Sequence, residues 1–272
     1  MLKSNNLYLG DCLDLLAKIE DQTIDLVFLD PPYNLQLNKV LTRPNHSIVN
    51  GVNQDWDKFD SYSSYDDFTF SYLNECKRVL KPDGGLWIIG SYHNIFRIGK
   101  ILQDLNFWIL NDVIWAKSNP LPNFRATRLT NAHETLIWCS KKPKSKYQFN
   151  YHTLKVANED RQERSIWNFP ICSGKERLKN NKKQTAHPTQ KPLALMKKII
   201  IQSSIQGDLV LEPFAGTASF CAEAKYLGRN YIGFEKDETY FNLAIKRLKK
   251  IKSLKNDFCL LYTSDAADEL SS

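Results

Sequence analysis

The sequence lacks several features that would assign the protein to common classes. No apolar run approaches the length of a membrane-spanning segment, and no segment typical of a signal peptide opens the chain. Six cysteines are scattered without the CxxC or CxH spacing of zinc sites, and there is no internal repeat. We therefore expect a cytoplasmic protein with reduced thiols, without disulfides and without a bound metal ion.

The excess of basic residues is small. Lys and Arg number 37 against 30 Asp and Glu, which gives a net charge of +7. Such a charge allows a polyanionic partner but does not require one, since many soluble proteins are slightly basic. The 272 residues, of which 42% are hydrophobic, suffice for one globular domain with a substantial core, alone or with a small appendage.

Short apolar segments alternate with helical patterns along most of the chain. Predicted strands that end at polar, acidic or glycine residues lie at 7–10, 24–29, 86–89, 208–211 and 231–234. Predicted helices lie at 13–19, 65–80, 95–105, 193–203 and 219–227. This alternation predicts a doubly wound α/β sheet, whose ligands bind beyond the carboxyl ends of the strands. Segments 111–117 and 135–140 could add an antiparallel pair at one edge.

The strongest local motif is Asp30-Pro31-Pro32-Tyr33, directly after an apolar strand. The exocyclic amine of a nucleobase is a poor nucleophile, because its lone pair is delocalised into the ring. The Asp30 carboxylate and the Pro31 carbonyl could accept its two hydrogens, while Tyr33 could stack on a base flipped out of the duplex. A rigid strand-to-loop turn that ends in a packing tyrosine would give the same four residues.

Two further motifs could hold a cofactor. In the strand-to-helix turn 211–219, small residues would let a ligand approach the backbone, and Glu235 could bind ribose hydroxyls. Segment 187–192 could hold a methionine end, although it could equally be an ordinary helix start. Asp11 could bind an adenine amino group or simply cap a helix. The candidate cofactor residues are Asp11, Cys12, His187, Thr189, Gln190, Lys191, Glu212, Phe214, Gly216, Thr217 and Glu235.

With the Asp-Pro-Pro-Tyr motif first and the glycine loop late, the chain resembles the β-class of amino-methylating DNA methyltransferases. It looks most similar to the adenine-N6 enzymes that recognise GANTC, including the cell-cycle-regulated type. The resemblance extends from about residue 7 to 250. Its closer part is carried by segments 30–37, 55–59, 89–97, 119–125, 130–135, 158–160 and 187–192.

The resemblance implies a fold, a cofactor and partners. The fold would be the S-adenosylmethionine-dependent methyltransferase fold with circularly permuted motifs, a mostly parallel sheet of seven strands with one antiparallel strand. It would form a catalytic domain over residues 1–252. S-adenosylmethionine would pass its methyl group directly to adenine N6 of double-stranded DNA, without a metal. A homodimer is implied as well, and a cognate restriction endonuclease could be a further partner.

Three insertions are predicted to recognise DNA, at about 36–58, 119–130 and 141–186. Arg and Asn can bind base edges, whereas Lys mostly meets phosphates. The candidate DNA contacts are Arg43, Trp56, Ser91, Asn123, Arg125 and Arg128. The basic stretches 141–146 and 175–183 could follow phosphates or be solvated loops.

The chain departs from the family pattern in two places. Glu212 and Ala218 stand where Asp and Gly are usual, and we expect the added bulk to crowd the methionine end and weaken cofactor binding. Segment 259–269 resembles a translated transposase adapter from sequencing libraries, so we expect a truncated reading frame and assign no function to the tail 253–272. An ordinary disordered acidic tail is the alternative.

Other functions stay open from the residues alone. A cytosine-N4 methyltransferase shares the fold but more often carries Ser at the position of Asp30. In RNA and protein-amide methyltransferases Asn commonly replaces that Asp. An inactive, truncated module that binds only DNA or cofactor is the alternative from another class. A methylase paired with an endonuclease and an orphan regulator would have the same motifs.

Overall fold

The computed structural model describes residues 2–35, 41–42, 48–49, 57–123, 126–180 and 183–254. The predicted DNA contacts Arg43, Trp56 and Arg125 lie outside the described residues, as does the tail from residue 255. Among the described residues, no helix has the length and apolar character needed to cross a membrane.

Strands and helices alternate as the hydrophobic patterns predict. The strands are β1 Asn6–Leu9, β2 Ile24–Leu29, β3 Leu41–Thr42, β4 Ile48–Val49, β5 Leu80–Gly90, β6 Trp108–Lys117, β7 His133–Ser140, β8 Ile166–Phe169, β9 Leu209–Glu212 and β10 Asn230–Glu235. The helices are α1 Cys12–Leu16, α2 Tyr62–Val79, α3 Ile95–Asp104, α4 Tyr151–Ala157, α5 Leu193–Ser203, α6 Ser219–Tyr226 and α7 Glu238–Lys250.

The main sheet has the strand order β1-β10-β9-β2-β5-β7-β6-β8. Only β7 runs antiparallel to its neighbours β5 and β6 in this sheet of the described residues. The doubly wound α/β prediction is confirmed, and so is the antiparallel pair of β6 and β7. A short edge strand, β8, brings the seven predicted strands to eight. It lies in segment 141–187, and its four residues are too few to show a clear hydrophobic period in the sequence.

The central strand β2 is buried on both faces, which explains its unbroken apolar sequence. Leu26 and Phe28 belong to one hydrophobic cluster, together with residues of α5, α6 and α7. Val27 and Leu29 belong to the other cluster, with residues of α1, α2 and α3. The two clusters therefore form the two halves of a core that encloses the sheet.

The parallel strands bring the predicted motifs to one edge of the sheet. Strands β1, β10, β9, β2 and β5 all run in the same direction. Their carboxyl ends lead to Asp11, Glu235, Glu212, Asp30 and Ser91 respectively. Residues far apart in the chain thus meet where the chain reverses its order across the sheet, which is the usual ligand site of such folds.

Candidate active site

A cavity of about 680 Å³ opens at the carboxyl edge of the sheet. Every residue that the sequence predicts for catalysis or for cofactor binding lines this cavity, from Asp11 and the 30–33 motif to Glu235. A cavity of this size lies within the range of small-molecule sites. The DNA candidates Ser91, Asn123 and Arg128 are not among its lining residues.

The loop that carries Asp-Pro-Pro-Tyr is held by residues from the segment that follows it. The Asp57 carboxylate accepts three successive backbone N–H bonds, from residues 33, 34 and 35, at 2.6 to 2.9 Å. The Tyr65 hydroxyl donates to the Pro32 carbonyl at 3.0 Å. Sequence reasoning missed both roles, although Asp57 lies in one of the family-like segments. These bonds hold the loop in one conformation at the cavity wall.

Asp30 belongs to a buried cluster of two acids, two lysines and a tyrosine. The Lys191 ammonium lies 2.9 Å from Asp30 Oδ2 and 3.8 Å from Glu134 Oε2, and it lies over the ring of Tyr33. Lys117 Nζ is 2.8 Å from Glu134 Oε1. The Tyr33 hydroxyl is 2.9 Å from Glu134 Oε2 and 3.2 Å from Asp30 Oδ1. The charges balance, as buried charges require.

Burial and the neighbouring charges act differently on the three central groups. Burial raises the pKa of Asp30 above its usual value, and the nearby Lys191 ammonium only partly opposes this. Burial alone would raise the Glu134 pKa, but Lys191 and Lys117 outweigh it and the pKa is lowered. Burial alone would lower the Lys191 pKa, but the two carboxylates outweigh it and the pKa is raised. The surroundings therefore favour the charged forms of Lys191 and Glu134 and disfavour the charged form of Asp30.

Lys191 lines the cavity as predicted, but the structure adds a contact that the sequence did not predict. Segment 187–192 was expected to hold the methionine end of a cofactor, yet the Lys191 ammonium binds Asp30. Neither Glu134 nor Lys117 was predicted, because both lie on strands β6 and β7 outside any catalytic motif. Glu134 does fall in the family-like segment 130–135, which is the one signal that could have identified it.

The turn between β9 and α6 depends on a buried acid and a glycine. The Glu212 carboxylate accepts the backbone N–H groups of Phe220 at 3.3 Å and Cys221 at 2.9 Å, so it caps the start of α6. Burial raises the pKa of Glu212 to about 7. Gly216 has a φ of +53°, and a Cβ there would lie 3.2 Å from His187 Nε2. The position therefore favours glycine both sterically and conformationally.

Ala218 has a φ of +55° and is fully buried in the hydrophobic cluster of α5 and α6. It is not a lining residue of the cavity, although residues 217 and 219 are. The expectation that its methyl group crowds a cofactor therefore loses its basis. Its methyl group instead packs within the hydrophobic core.

Two acids of the cavity wall also organise the backbone. The Glu235 carboxylate accepts the Gly216 N–H at 2.6 Å and the Asp237 N–H at 2.7 Å, and burial raises its pKa to about 7. The Asp11 carboxylate caps α1 through the Leu13 N–H at 3.0 Å and meets Lys236 Nζ at 3.0 Å. Asp11 is thus both a helix cap and a cavity residue. The adjacent Cys12 is buried, which raises its pKa to about 12.

Segment 187–192 closes the cavity mainly through internal contacts. The His187 ring packs edge-on against Tyr240 with centroids 4.4 Å apart, and burial lowers its pKa to about 4, so the ring is neutral. The Thr189 N–H donates to His187 Nδ1 at 3.3 Å. The Gln190 side chain accepts from the Leu178 N–H at 3.0 Å and so ties the preceding loop to the cavity wall.

Phe214 and Thr217 complete the glycine-loop side of the cavity. The Phe214 ring packs edge-on against Tyr72, with centroids 5.1 Å apart. Arg247 Nη1 donates to the Thr217 carbonyl at 3.0 Å, and the Thr217 hydroxyl lies 3.4 Å from the same atom. The polar groups of Thr217 are therefore partly used within the protein.

A tyrosine and an arginine form a contact beside the Asp-Pro-Pro-Tyr loop. The Arg128 guanidinium lies 5.7 Å from the centroid of the Tyr92 ring and donates to its hydroxyl. The Asn123 side chain donates to the Arg128 carbonyl at 3.0 Å. Asn94 Nδ2, two residues from Tyr92, is 3.5 Å from the Pro32 carbonyl. The exposed Arg128 is thus held by Tyr92, which lies on a turn that contacts the Asp-Pro-Pro-Tyr loop.

Ser91 has a structural role in this turn. It is only 5% exposed, its N–H donates to Asn94 Oδ1 at 3.0 Å, and its hydroxyl lies 3.1 Å from His93 Nδ1. The prediction of a direct DNA contact by Ser91 is therefore corrected, because burial leaves little of its surface for a duplex.

Sequence and structure comparisons agree on one family. A family profile for N6 and N4 methyltransferases, described as DNA methylase, matches residues 24–246. The chain is 51% identical to the type II methyltransferase M.HinfI of Haemophilus influenzae, over 94% of this chain and 72% of that protein. It is 40% identical to the type II methyltransferase M2.MboI of Moraxella bovis, over 94% of this chain and 92% of that protein.

A solved structure extends the similarity to three dimensions. The crystal structure of an M1.HpyAVI–SAM complex superposes with a TM-score of 0.64 at 28% identity, covering 89% of this chain and 98% of that one. The similarity therefore extends over most of the fold.

Proposed function

Because the chain belongs to the N6/N4 DNA methylase family, we propose that it methylates the N6 atom of adenine within GANTC sites of double-stranded DNA. Family membership confirms the predictions of an S-adenosylmethionine-dependent fold and of an enzyme that modifies DNA. The choice of adenine and of GANTC is our proposal. It is supported by the family-like segments and by the aspartate at position 30.

The observation that carries the proposal is the place of Asp30 on the cavity wall. Its carboxylate lies beside the Tyr33 ring, in a cavity large enough to hold both a cofactor and a nucleobase. We expect the carboxylate and the Pro31 carbonyl to accept the two N6 hydrogens and to leave the nitrogen lone pair free for attack. The raised pKa of Asp30 also suits it to receive the proton that N6 loses after methylation.

The cavity also fits S-adenosylmethionine, which supplies an electrophilic methyl group when bound. The rings of Phe28, Phe214 and Phe234 give it apolar surface, while the carboxylates of Glu235 and Asp11 face it as acceptors. We expect Glu235 to accept ribose hydroxyls. The acids at this edge also complement the positive charge of a sulfonium.

For DNA, the candidate contacts that the structure describes are Arg128 and its neighbour Asn123. Arg128 is exposed and is held by Tyr92, on a turn adjoining the catalytic loop. A guanidinium positioned in this way can bind a phosphate or a base edge. We propose that it contacts DNA next to the adenine that enters the cavity.

The proposal also covers the domain organisation, the oligomeric state and the partners of the protein. We propose that residues 1–252 form one catalytic domain, that its insertions contact DNA, and that the protein acts in the cytoplasm as a homodimer. A cognate restriction endonuclease is part of the same proposal. Sedimentation of the purified protein would test the dimer, and the neighbouring genes would test the endonuclease.

The function is tested by methyl transfer from labelled S-adenosylmethionine to a GANTC duplex and to a scrambled duplex. We expect N6-methyladenine only from the GANTC duplex. Asp30→Ala should lower kcat by about 10²–10⁴-fold, because the N6 hydrogens lose their acceptor. S-adenosylmethionine binding, measured by calorimetry, should change little.

The matched control is Asp67→Ala, an exposed acid on α2, which should keep the wild-type rate. N4-methylcytosine in the product nucleosides would replace the adenine assignment with the cytosine one. Full activity of Asp30→Ala would refute the mechanism.

A further inference from the structure

Glu134 contacts three other members of the buried charge cluster, Lys117, Tyr33 and Lys191. It lies on β7, 101 residues from Tyr33 in the sequence, and its side chain is 12% exposed. One carboxylate oxygen meets Lys117 at 2.8 Å, and the other meets the Tyr33 hydroxyl at 2.9 Å and Lys191 at 3.8 Å. Glu134 therefore contacts both neighbours of the Asp30 carboxylate, its ammonium partner and its tyrosine.

The contacts of Glu134 compete with those of Asp30. The single hydroxyl proton of Tyr33 has two acceptors, Glu134 at 2.9 Å and Asp30 at 3.2 Å. The Lys191 ammonium bonds Asp30 at 2.9 Å and has Glu134 as a second ionic partner at 3.8 Å. Without Glu134, Asp30 would be the remaining acidic partner of both groups within this cluster. Tyr33 already reaches one Asp30 oxygen and Lys191 the other. The more closely these donors hold the two oxygens, the less capacity the carboxylate keeps to accept hydrogens from a substrate amine.

We propose that Glu134, itself held by Lys117, is a positioning residue for adenine methylation that draws Tyr33 and Lys191 partly away from Asp30. The Asp30 carboxylate thereby keeps acceptor capacity for the N6 amino group, and the Tyr33 ring stays in place for stacking. This inference rests on the proposed function, since it assigns a role in the same reaction.

The proton balance of the reaction shows why the sharing matters. N6 gains a methyl group as the bond from that carbon to sulfur breaks, and N6 then loses one hydrogen as a proton. Asp30 receives the proton and passes it to solvent after product leaves. The charged groups that face Asp30 are Lys191 before α5, Glu134 on β7 and Glu212 on β9, with Tyr33 on its own loop.

The decisive measurement is the pH dependence of kcat. Glu134 repels the charged form of Asp30 and so contributes to its raised pKa. In Glu134→Gln this repulsion is lost and Lys191 has one acidic partner. The acidic limb of the pH–kcat profile should therefore move to lower pH, while kcat at its plateau falls about 10- to 100-fold. The Kd for S-adenosylmethionine should stay within about twofold.

A second variant separates positioning from stability. Glu134→Gln leaves the Lys117 ammonium buried without its partner, which can itself destabilise the fold. The double variant Glu134→Gln with Lys117→Met removes both charges and should recover the melting temperature. The shifted limb and the low kcat should persist in it. Recovery of kcat together with the melting temperature would show that Glu134 only stabilises the fold and would overturn the proposal.

A control and a conservative variant complete the test. Asp25→Asn removes an acid that pairs with Lys81 at 2.6 Å near the opposite, amino-terminal edge of the sheet, and its pH limb should match the wild type. Glu134→Asp keeps the charge and should restore the wild-type limb in part. An unmoved limb in Glu134→Gln, in an enzyme that methylates adenine, refutes this proposal alone. Absence of adenine methylation by the wild type would refute the proposed function instead.

Discussion

At the scale of single residues, burial decides which partners the charged side chains of this site have. Lys191 looks from the sequence like a cofactor ligand in a helix-start motif, but in the fold its ammonium has two carboxylates within 4 Å. A buried ammonium needs such partners, because leaving its charge buried without a partner strongly destabilises the fold. Its position is therefore decided by charge compensation.

Ala218 offers a prediction in which several small effects oppose one another. Gly at this position would relieve a left-handed backbone worth about 1–2 kcal/mol. It would also lose a buried methyl group worth about 0.8 kcal/mol, as well as about 0.4–1 kcal/mol from the freer unfolded chain. We expect Ala218→Gly to change the free energy of unfolding by less than about 1 kcal/mol and to leave the S-adenosylmethionine Kd unchanged.

Chemical denaturation and calorimetric titration would measure the two quantities. Tighter cofactor binding by the glycine variant would restore the idea that Ala218 crowds the site, against its place in the core.

At the scale of elements, the turn from β9 to α6 shows how a buried acid organises the cavity wall. The Glu212 carboxylate at the end of β9 caps the first turn of α6, a favourable place for negative charge because it faces the free N–H groups of the helix. Burial opposes this charge and raises the pKa of Glu212 to about 7. The two effects leave an acid that titrates near neutral pH.

This titration predicts a pH-dependent stability. The folded-state pKa lies above the unfolded one, so the protonated form favours folding, and this contribution is lost as the pH rises through about 7. Relative to wild type, Glu212→Gln should therefore gain stability between about pH 4.5 and 7, by at most about 3 kcal/mol. Urea unfolding of both proteins across this range measures the difference.

The exposed substitution Glu238→Gln, in the first turn of α7, is the matched control. A constant difference between Glu212→Gln and wild type across the range would show that Glu212 is charged throughout.

At the scale of the whole molecule, the net charge of +7 leads to a prediction about salt. If Arg128 meets a phosphate, log K for DNA should fall linearly with log salt concentration, and Arg128→Gln should reduce the magnitude of that slope by about 0.9. The loss of affinity should be similar for GANTC and scrambled duplexes, since phosphates carry no sequence. Fluorescence anisotropy over a salt series measures the slope.

Lys18→Gln, an exposed change after α1, should keep the wild-type slope. A loss of affinity confined to the GANTC duplex would mean that Arg128 reads a base edge instead.

The sequence by itself determined the sheet, the motif positions and the cavity residues. Apolar runs such as 24–29 encode strands buried on both faces. Parallel strands bring their carboxyl ends to one edge of the sheet, independently of the conformation of the loops. The Asp-Pro-Pro-Tyr motif is local, because its prolines restrict the backbone. For these reasons all predicted catalytic and cofactor residues line one cavity. The edge strand β8 and helix α4 were not predicted, because such short elements show too little hydrophobic periodicity.

Only the tertiary structure decided which partners these residues have. Asp57 accepts backbone N–H groups of the Asp-Pro-Pro-Tyr loop from more than 20 residues away, and Glu134 bonds Tyr33 across 101 residues. No local sequence pattern predicts such pairs, because the partner of a buried charge or N–H group depends on which residues the packed strands place next to it. The same holds for Lys191 and Ala218, whose side-chain directions depend on the packing and the backbone at each site. The place of Asp30 in the cavity was therefore readable from the motif, whereas the charges around it were not.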